Sequence, residues 1–205
     1  MKRIRVGLVR VITLKDDDLI NAHARILTDN FPNIDVVSQC IPDQPLGIYN
    51  EDTETMAVSK IVTLAEELQE RGVDIVLISC AADPAVAECR KRLKTLVIGA
   101  GSAAASLAVA LSSKIGVIRI TDEVPNVIKE ILGKSMLVDI KPRNIVCTLD
   151  LLTSSGRKSV MEAAEYLKAR GCDTVIPACT GMSTSGIAKD IEMVHGLRVI
   201  DPVIA

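Results

Sequence analysis

The sequence predicts an α/β fold made of two similar three-layer αβα lobes with mainly parallel sheets, related by a pseudo-twofold axis, with a ligand site in the cleft between them. Aliphatic runs alternate with amphipathic segments along the chain, which is the pattern of βαβ units. Apolar residues make up 48% of the chain but aromatic residues only 1%. An aliphatic core of this kind is typical of helices that cover both faces of a parallel sheet.

The strands and helices follow in order from these runs. Strands are predicted near residues 4–12, 34–40, 73–79, 95–98, 115–120, 144–149, 173–178 and 197–200. Helices are predicted near residues 16–30, 54–71, 84–92, 102–112, 122–133, 157–170 and 182–192. We expect residues 1–100 to form the first lobe, completed by the C-terminal segment 195–205, and residues 101–194 to form the second.

An internal repeat supports the two-lobed arrangement. Residues 65–80 read AEELQERGVDIVLISC and residues 164–179 read AEYLKARGCDTVIPAC, and eight of these sixteen positions are identical. Chance would give roughly one identity in a segment of this length. A shorter echo lies upstream, where GLVR at residues 7–10 matches GVIR at residues 116–119. Two copies of one α/β unit are the simplest explanation.

Each long repeat ends in a cysteine, Cys80 or Cys179, at the carboxyl end of a predicted strand. That end is the ligand edge of an open α/β sheet. Asp83 is predicted to cap the following helix, with Pro84 in its first turn. We therefore expect each thiol to face a helix N-terminus, which would lower its pKa below about 8.5. Two such thiols across a cleft could remove and return a proton beside a carbonyl group.

Composition argues against several other classes of protein. A net charge of -2 with 24 basic and 26 acidic residues provides no footprint for nucleic acid or an anionic membrane. The six cysteines include no C-x-x-C pair, and the two histidines stand at no metal-ligand spacing from them, so we expect no metal site. No signal peptide and no apolar stretch of about 18 residues is recognised, which favours a soluble, cytoplasmic protein with no membrane partner.

The segments LISCAADPAV (residues 77–86) and VIPACTGMS (residues 175–183) resemble the aspartate/glutamate/hydantoin racemase superfamily. The resemblance extends along the chain, and VIGAGSAAASLA (residues 97–108) is similar to the segment between the lobes. It implies a cofactor-independent isomerase that acts as a racemase or epimerase on a small molecule, a hydantoin or an amino acid, and we expect a homo-oligomer. It also implies a catalytic pair, Cys80 and Cys179, and binding residues Ala81, Ala82, Thr121, Thr180 and Gly181.

Two departures favour the hydantoin racemase branch of this superfamily. Glutamate racemases carry an Asp-Ser pair after the first strand and a histidine after the second cysteine, whereas this chain has Arg10-Val11 and Thr180-Gly181 there. Arg10 is a candidate for binding a substrate carboxylate, or else an arginine that reaches the surface from a strand end. Members of the family normally continue with a helix beyond the segment equivalent to residues 199–203, so that helix is expected to be missing or truncated.

Other interpretations stay open from the sequence. The same fold supports decarboxylases with one cysteine and maleate isomerases, and a non-catalytic ligand-binding protein or a thiol-redox protein with a reversible Cys80–Cys179 disulfide is also compatible. Residues 99–104 fit the dinucleotide pattern G-x-G-x-x-A, or else serve close packing between the lobes. Residues 41–53 could form a lid or a surface turn. We assign to packing or the surface both histidines and the remaining cysteines: His23, His195, Cys40, Cys89, Cys147 and Cys172.

Overall fold

A computed structural model describes residues 3–205 and contains two four-stranded sheets. The first sheet and its helices comprise β1 (Ile4–Arg10), α1 (Asp17–Asn30), β2 (Ile34–Cys40), α2 (Glu51–Glu70), β3 (Ile75–Ser79), α3 (Val86–Arg92) and β4 (Leu96–Gly99). The second comprises α4 (Ala100–Leu111), β5 (Ile115–Ile118), α5 (Asn126–Leu132), β6 (Met136–Ile140), α6 (Ser154–Ala169), β7 (Thr174–Pro177), α7 (Gly181–Thr184), α8 (Ile187–His195) and β8 (Arg198–Val199). Short 3-10 helices span Gly133–Ser135 and Thr148–Leu152.

Both sheets are parallel and have the same strand order, β2-β1-β3-β4 in one and β6-β5-β7-β8 in the other. The predicted two-lobed α/β fold is therefore confirmed. The two inner strands that the repeat predicts, β3 and β7, each pair with the first strand of their own sheet. As a result, the ends of β3 and β7 occupy equivalent places in the two sheets.

Two glycines explain part of the shared sequence. An added Cβ at Gly7 would lie 3.1 Å from Leu68, and one at Gly116 would lie 2.9 Å from Leu167. The first strand of each sheet thus needs a glycine where the repeated helix packs most closely. The Leu68/Leu167 identity and the Gly7/Gly116 match are two sides of one helix-on-strand contact.

Aliphatic side chains fill both faces of each sheet. In the first lobe α2 and α3 pack over residues that include Val9, Val76 and Ile78. The opposite face carries Leu8 and Leu77 and is covered by α1 and by Val203. In the second lobe the two clusters involve α6 with α8 and α4 with α5. These layers leave the carboxyl ends of the inner strands facing the junction between the lobes.

One predicted strand is wrong. Residues 144–149 form no strand but a loop that enters the 3-10 helix Thr148–Leu152. The strand that takes their place in the second sheet is the edge strand β6, Met136–Ile140. Val138 and Ile140 of β6 pack against the second core, whereas Val146 is 69% exposed. Ile145 is buried in the second core from this loop, so an aliphatic residue here packs without belonging to the sheet. The predicted helix at 182–192 is also divided, since Gly186 with a φ of +67° separates α7 from α8.

The C-terminal segment contacts both lobes. Arg198 and Val199 pair with β7 of the second sheet, while Val203 packs with Leu8 on the first sheet. Completion of the first lobe by residues 195–205 stays a prediction, and β8 within that segment pairs with the second sheet. We retain residue 100 as the proposed boundary, because α4 packs mainly on the second sheet. No helix in the described part of the chain is long and apolar enough to cross a membrane.

Asp83 does not cap α3, contrary to the sequence prediction. Its φ is +53°, and α3 begins only at Val86. Its carboxylate instead accepts hydrogen bonds from the backbone N–H groups of Gly101 at 2.6 Å and Ser102 at 2.9 Å, at the start of α4. A Cβ at Gly99 would lie 2.1 Å from the Asp83 carboxylate. The glycine pattern thus accommodates a carboxylate of this chain at the place where a nucleotide-binding loop would hold phosphate.

Candidate active site

A cavity between the two lobes brings the sequence-predicted site residues together. Its lining includes all of them: Arg10, Cys80, Ala81, Ala82, Thr121, Cys179, Thr180 and Gly181. They come from the carboxyl ends of the strands in both sheets or from the residues that follow. The position of the cavity agrees with the general rule for ligand sites in open α/β folds.

Cys80 follows β3, and the backbone N–H of Ala82 donates a hydrogen bond to its sulfur. Burial nevertheless raises the pKa of the Cys80 thiol to about 12. The prediction of a lowered pKa is therefore wrong for this residue. Since α3 starts only at Val86, Cys80 does not directly precede a helix, and a single N–H bond does not offset the loss of hydration.

Cys179 has more hydrogen-bond donors around it. The backbone N–H groups of Gly181 and Met182 are directed at its sulfur, and Thr148 Oγ1 lies 3.9 Å from Sγ. These contacts favour the thiolate, but burial outweighs them and raises the pKa of the Cys179 thiol as well. The helix that follows, α7, has only 4 residues, so its dipole is small.

The two thiols interact electrostatically. Negative charge at Cys179 further raises the pKa of Cys80, so loss of a proton from one thiol makes loss of a proton from the other less favourable. A pair that holds one thiolate and one thiol has the composition needed for one base and one acid.

Thr148 is a site residue that sequence reasoning missed, because its segment was interpreted as a strand. Besides approaching Cys179, it packs against Gly181, where an added Cβ would lie 2.5 Å from its Cγ2. A Cβ at Gly47, in the loop before α2, would lie 3.2 Å from its Oγ1. Thr148 therefore stands between the second cysteine and a loop of the first lobe.

Arg10 is buried in the cavity wall and does not reach the surface. Its Nη1 donates to the backbone carbonyl oxygens of Leu19 at 2.8 Å and Ile20 at 3.0 Å. Burial lowers its pKa to about 10, which leaves the guanidinium charged at neutral pH. Among the described residues that line the cavity, Arg10 alone has a charged side chain.

His23 on α1 is the second residue missed by the sequence analysis, which assigned it to packing or the surface. It is 1% exposed and joins the lobes through Nδ1 to Ser79 Oγ and Nε2 to Thr184 Oγ1, both at 2.8 Å. Thr180 Oγ1 adds a second bridge by donating to the carbonyl oxygen of Ser79 at 3.1 Å. No sequence motif marks His23, and only its position in the helix period could have indicated that it is buried.

The loop at residues 41–53 contributes Ile48 to the cavity lining and passes into α2 through a capping box of Asn50 and Thr53. Its role as a lid stays a prediction. Within residues 3–205, no cluster of three or more His, Cys, Asp or Glu side chains could hold a metal ion.

Replacing Thr148 with valine is expected to reduce the reactivity of Cys179. The change keeps the shape of the side chain but removes a hydroxyl group that stabilises the thiolate. A net hydrogen-bond contribution of about 0.5–1 kcal/mol corresponds to a roughly two- to fivefold slower alkylation by iodoacetamide. Peptide mass spectrometry would follow Cys179 separately from the other cysteines. Thr148→Ser should retain the wild-type rate, and an unchanged rate in Thr148→Val would contradict the contact.

His23 is expected to make the protein less stable in mild acid. Burial and the positive charge of Arg10 lower its pKa well below 6.5. The unfolded chain binds this proton below about pH 6.5 and the folded chain does not. The contribution of His23 to the free energy of unfolding is therefore fully present above that pH. It is lost as pH falls toward the folded pKa, with a slope of at most about 1.4 kcal/mol per pH unit.

Urea denaturation between about pH 7.5 and 5.5 would measure this loss. The variant His23→Gln does not titrate, and the carboxylates of both proteins contribute similarly, so the difference between the two pH profiles isolates His23. Parallel profiles would contradict a neutral, buried His23.

The chain is similar in sequence to a known protein family and to curated members of it. The profile described as Asp/Glu/Hydantoin racemase matches residues 19–205. A curated hydantoin racemase from Rhizobium meliloti is 25% identical over 173 residues, which cover 80% of this chain and 69% of the relative.

Solved structures agree on the fold. The allantoin racemase from Klebsiella pneumoniae superposes with a TM-score of 0.84 at 19% identity, covering 98% of this chain and 83% of its own. A glutamate racemase from Bacillus anthracis has a TM-score of 0.72 at 17% identity, covering 99% of this chain and 78% of its own. At these identities the similarity establishes the two-lobed fold.

Proposed function

Because the chain belongs to the Asp/Glu/Hydantoin racemase family, we propose that it inverts a carbon α to a carbonyl group without a cofactor. The segments around its two cysteines carry the resemblance to this family. Cys80 and Cys179 would be the two bases. The observation that carries this proposal is that the two cysteines, equivalent in the internal repeat, line one cavity from different lobes.

The reaction requires one thiolate and one thiol. The thiolate of one cysteine takes the α-proton, and the electron pair of the broken C–H bond moves into the carbonyl group to form an enolate. The thiol of the other cysteine then delivers its proton to the opposite face of the carbon. The roles of the two sulfurs exchange with each inversion, so the same pair serves both enantiomers.

Backbone N–H groups are available for the developing charge. Those of Ala81, Ala82, Thr180 and Gly181 are the predicted donors, because these residues follow the two cysteines and line the cavity. The N–H groups of Ala82 and Gly181 already contact the two sulfurs, so those of Ala81 and Thr180 are the ones left for an enolate oxygen. Donors fixed by the fold stabilise an enolate oxygen more than the neutral carbonyl from which it forms. Thr121 would complete the polar lining on the side of β5.

The lining favours a neutral ring over a free amino acid. Most of it is aliphatic, including Ile12, Leu14 and Leu149, and Arg10 supplies the only charge among the described lining residues. A zwitterionic substrate would lose its hydration without a carboxylate partner for its ammonium group among the described lining residues. We therefore propose a hydantoin-type ring, with an amino acid as the second candidate. The expected homo-oligomer and cytoplasmic location stay predictions.

The test is α-proton exchange in deuterated water. Single enantiomers of hydantoins, allantoin and amino acids are incubated with the protein, and NMR and chiral chromatography follow deuterium uptake and inversion. We expect inversion of at least one hydantoin-type substrate with solvent deuterium in the product. A broad panel without enzyme-dependent inversion would contradict the proposal. Loss of two protons from Cys80 and Cys179 on mild oxidation, again without turnover, would favour the thiol-redox alternative.

A further inference from the structure

His23 occupies the junction of the lobes behind the cavity wall. Its two ring nitrogens contact Ser79, which immediately precedes Cys80, and Thr184, at the end of the helix that follows Cys179. His23 itself is not part of the cavity lining. It therefore connects the backbone segments of both cysteines without reaching a substrate.

The ring is well suited to this connection. A neutral imidazole has one N–H donor and one acceptor nitrogen, and a hydroxyl group can satisfy either. Because His23 and Ser79 are almost fully buried, an apolar replacement would leave the Ser79 hydroxyl without this partner in a place that excludes water, and the partly buried Thr184 hydroxyl without its contact to the first lobe. The contact therefore depends on the direction of its hydrogen bonds as well as on the shape of the ring.

The helix that carries His23 is itself held in place. Arg10 donates to the carbonyl oxygens of Leu19 and Ile20, and Ser38 Oγ donates to that of Ile20 at 2.7 Å. These bonds fix the first turns of α1 against β1 and β2. The position of the imidazole is consequently set from the first lobe, and Thr184 is held against it from the second.

We propose that His23 is a positioning residue that sets the separation of Cys80 and Cys179, because it ties the end of β3 to α7 across the junction of the lobes. This inference rests on the proposed two-base reaction. It adds a geometric requirement to that reaction, because both thiols must lie within reach of the same carbon during the lifetime of the enolate.

A loosened junction has a specific consequence. One thiolate can still remove the α-proton, but the opposite thiol no longer reaches the carbon in time, and the enolate is reprotonated on the face from which the proton left. In deuterated water the thiol that took the α-proton exchanges it with the solvent before returning a deuteron, so the unconverted substrate gains deuterium without inversion. A variant that merely contains less folded protein would lower exchange and inversion together and leave their ratio unchanged.

The experiment measures that ratio in wild type, His23→Phe, His23→Gln and Thr184→Val. We expect His23→Phe to lower inversion roughly 10- to 100-fold, as a misplacement of about 1 Å can do, and to lower exchange much less. His23→Gln keeps a donor and an acceptor and should recover part of the inversion. The combination of His23→Phe with Thr184→Val should be little worse than His23→Phe, since both remove the same contact. His195→Gln, at the far end of α8, is the control that keeps the wild-type ratio.

The outcomes separate the two proposals. Inversion by wild type with an unchanged ratio in folded His23→Phe would overturn the role of His23 and leave the proposed function standing. A wild type that neither exchanges nor inverts contradicts the proposed function. In that case the same variants are compared by thermal unfolding, where additive shifts for His23→Phe and Thr184→Val would overturn the connection itself and non-additive shifts would support it.

Discussion

Replacing either Cys80 or Cys179 with serine is expected to reduce inversion by about 10³-fold or more. A positioned general acid or base typically contributes 10²- to 10⁴-fold, and a serine hydroxyl is a much weaker acid than a thiol. The change keeps the shape of the side chain, so the cavity should persist. Each variant should still exchange the α-proton of the enantiomer whose C–H bond faces the remaining thiol.

This opposite selectivity is the decisive measurement. Deuterium uptake by each single enantiomer is followed in both variants, and we expect Cys80→Ser and Cys179→Ser to prefer opposite enantiomers. Cys172→Ala is the control, because Cys172 is buried in the second core away from the cavity. If both variants exchanged the same enantiomer, or if either kept wild-type inversion, the two-base mechanism would be rejected.

Replacing Gly101 with alanine is expected to be among the most destabilising single-methyl changes in the chain. The added Cβ would lie 2.0 Å from the backbone carbonyl oxygen of Ala81. Neither partner is the end of a flexible side chain, so α4 or the segment after Cys80 must move. Overpacking of this kind costs about 1–3 kcal/mol and occasionally more.

The same displacement should also lower activity. Ala81 directly follows Cys80, and the Gly101 N–H holds the Asp83 carboxylate at the end of that segment. Urea denaturation would give the change in unfolding free energy, and the exchange assay would give the loss of inversion. Ser106→Ala on the exposed face of α4 should change stability by less than about 0.5 kcal/mol. A Gly101→Ala protein as stable and active as this control would contradict the close approach.

Much of the architecture followed from the sequence because it depends on local pattern. The aliphatic runs and the 65–80/164–179 repeat predicted two α/β units with equivalent strands, and both sheets have the same strand order. The placement of Cys80 and Cys179 at strand ends needed only the repeat and the rule for ligand edges. The racemase superfamily was likewise recognisable from the residues around each cysteine, and the family profile confirms it.

What the sequence could not supply depends on contacts between distant residues. The pKa of each thiol follows from how much water the closed lobes exclude, and that burial reverses the shift expected from strand-end position. Asp83 finds its donors 18 and 19 positions away, at the start of α4, rather than in the helix that follows it.

His23 and Thr184, separated by 161 positions, meet only because the two lobes pack against each other in one arrangement. The sequence by itself therefore determined two matched α/β units with a cysteine at the ligand edge of each, since periodicity and repetition are local properties. The tertiary structure decided how those cysteines are protonated and held, because desolvation and hydrogen bonding act through space.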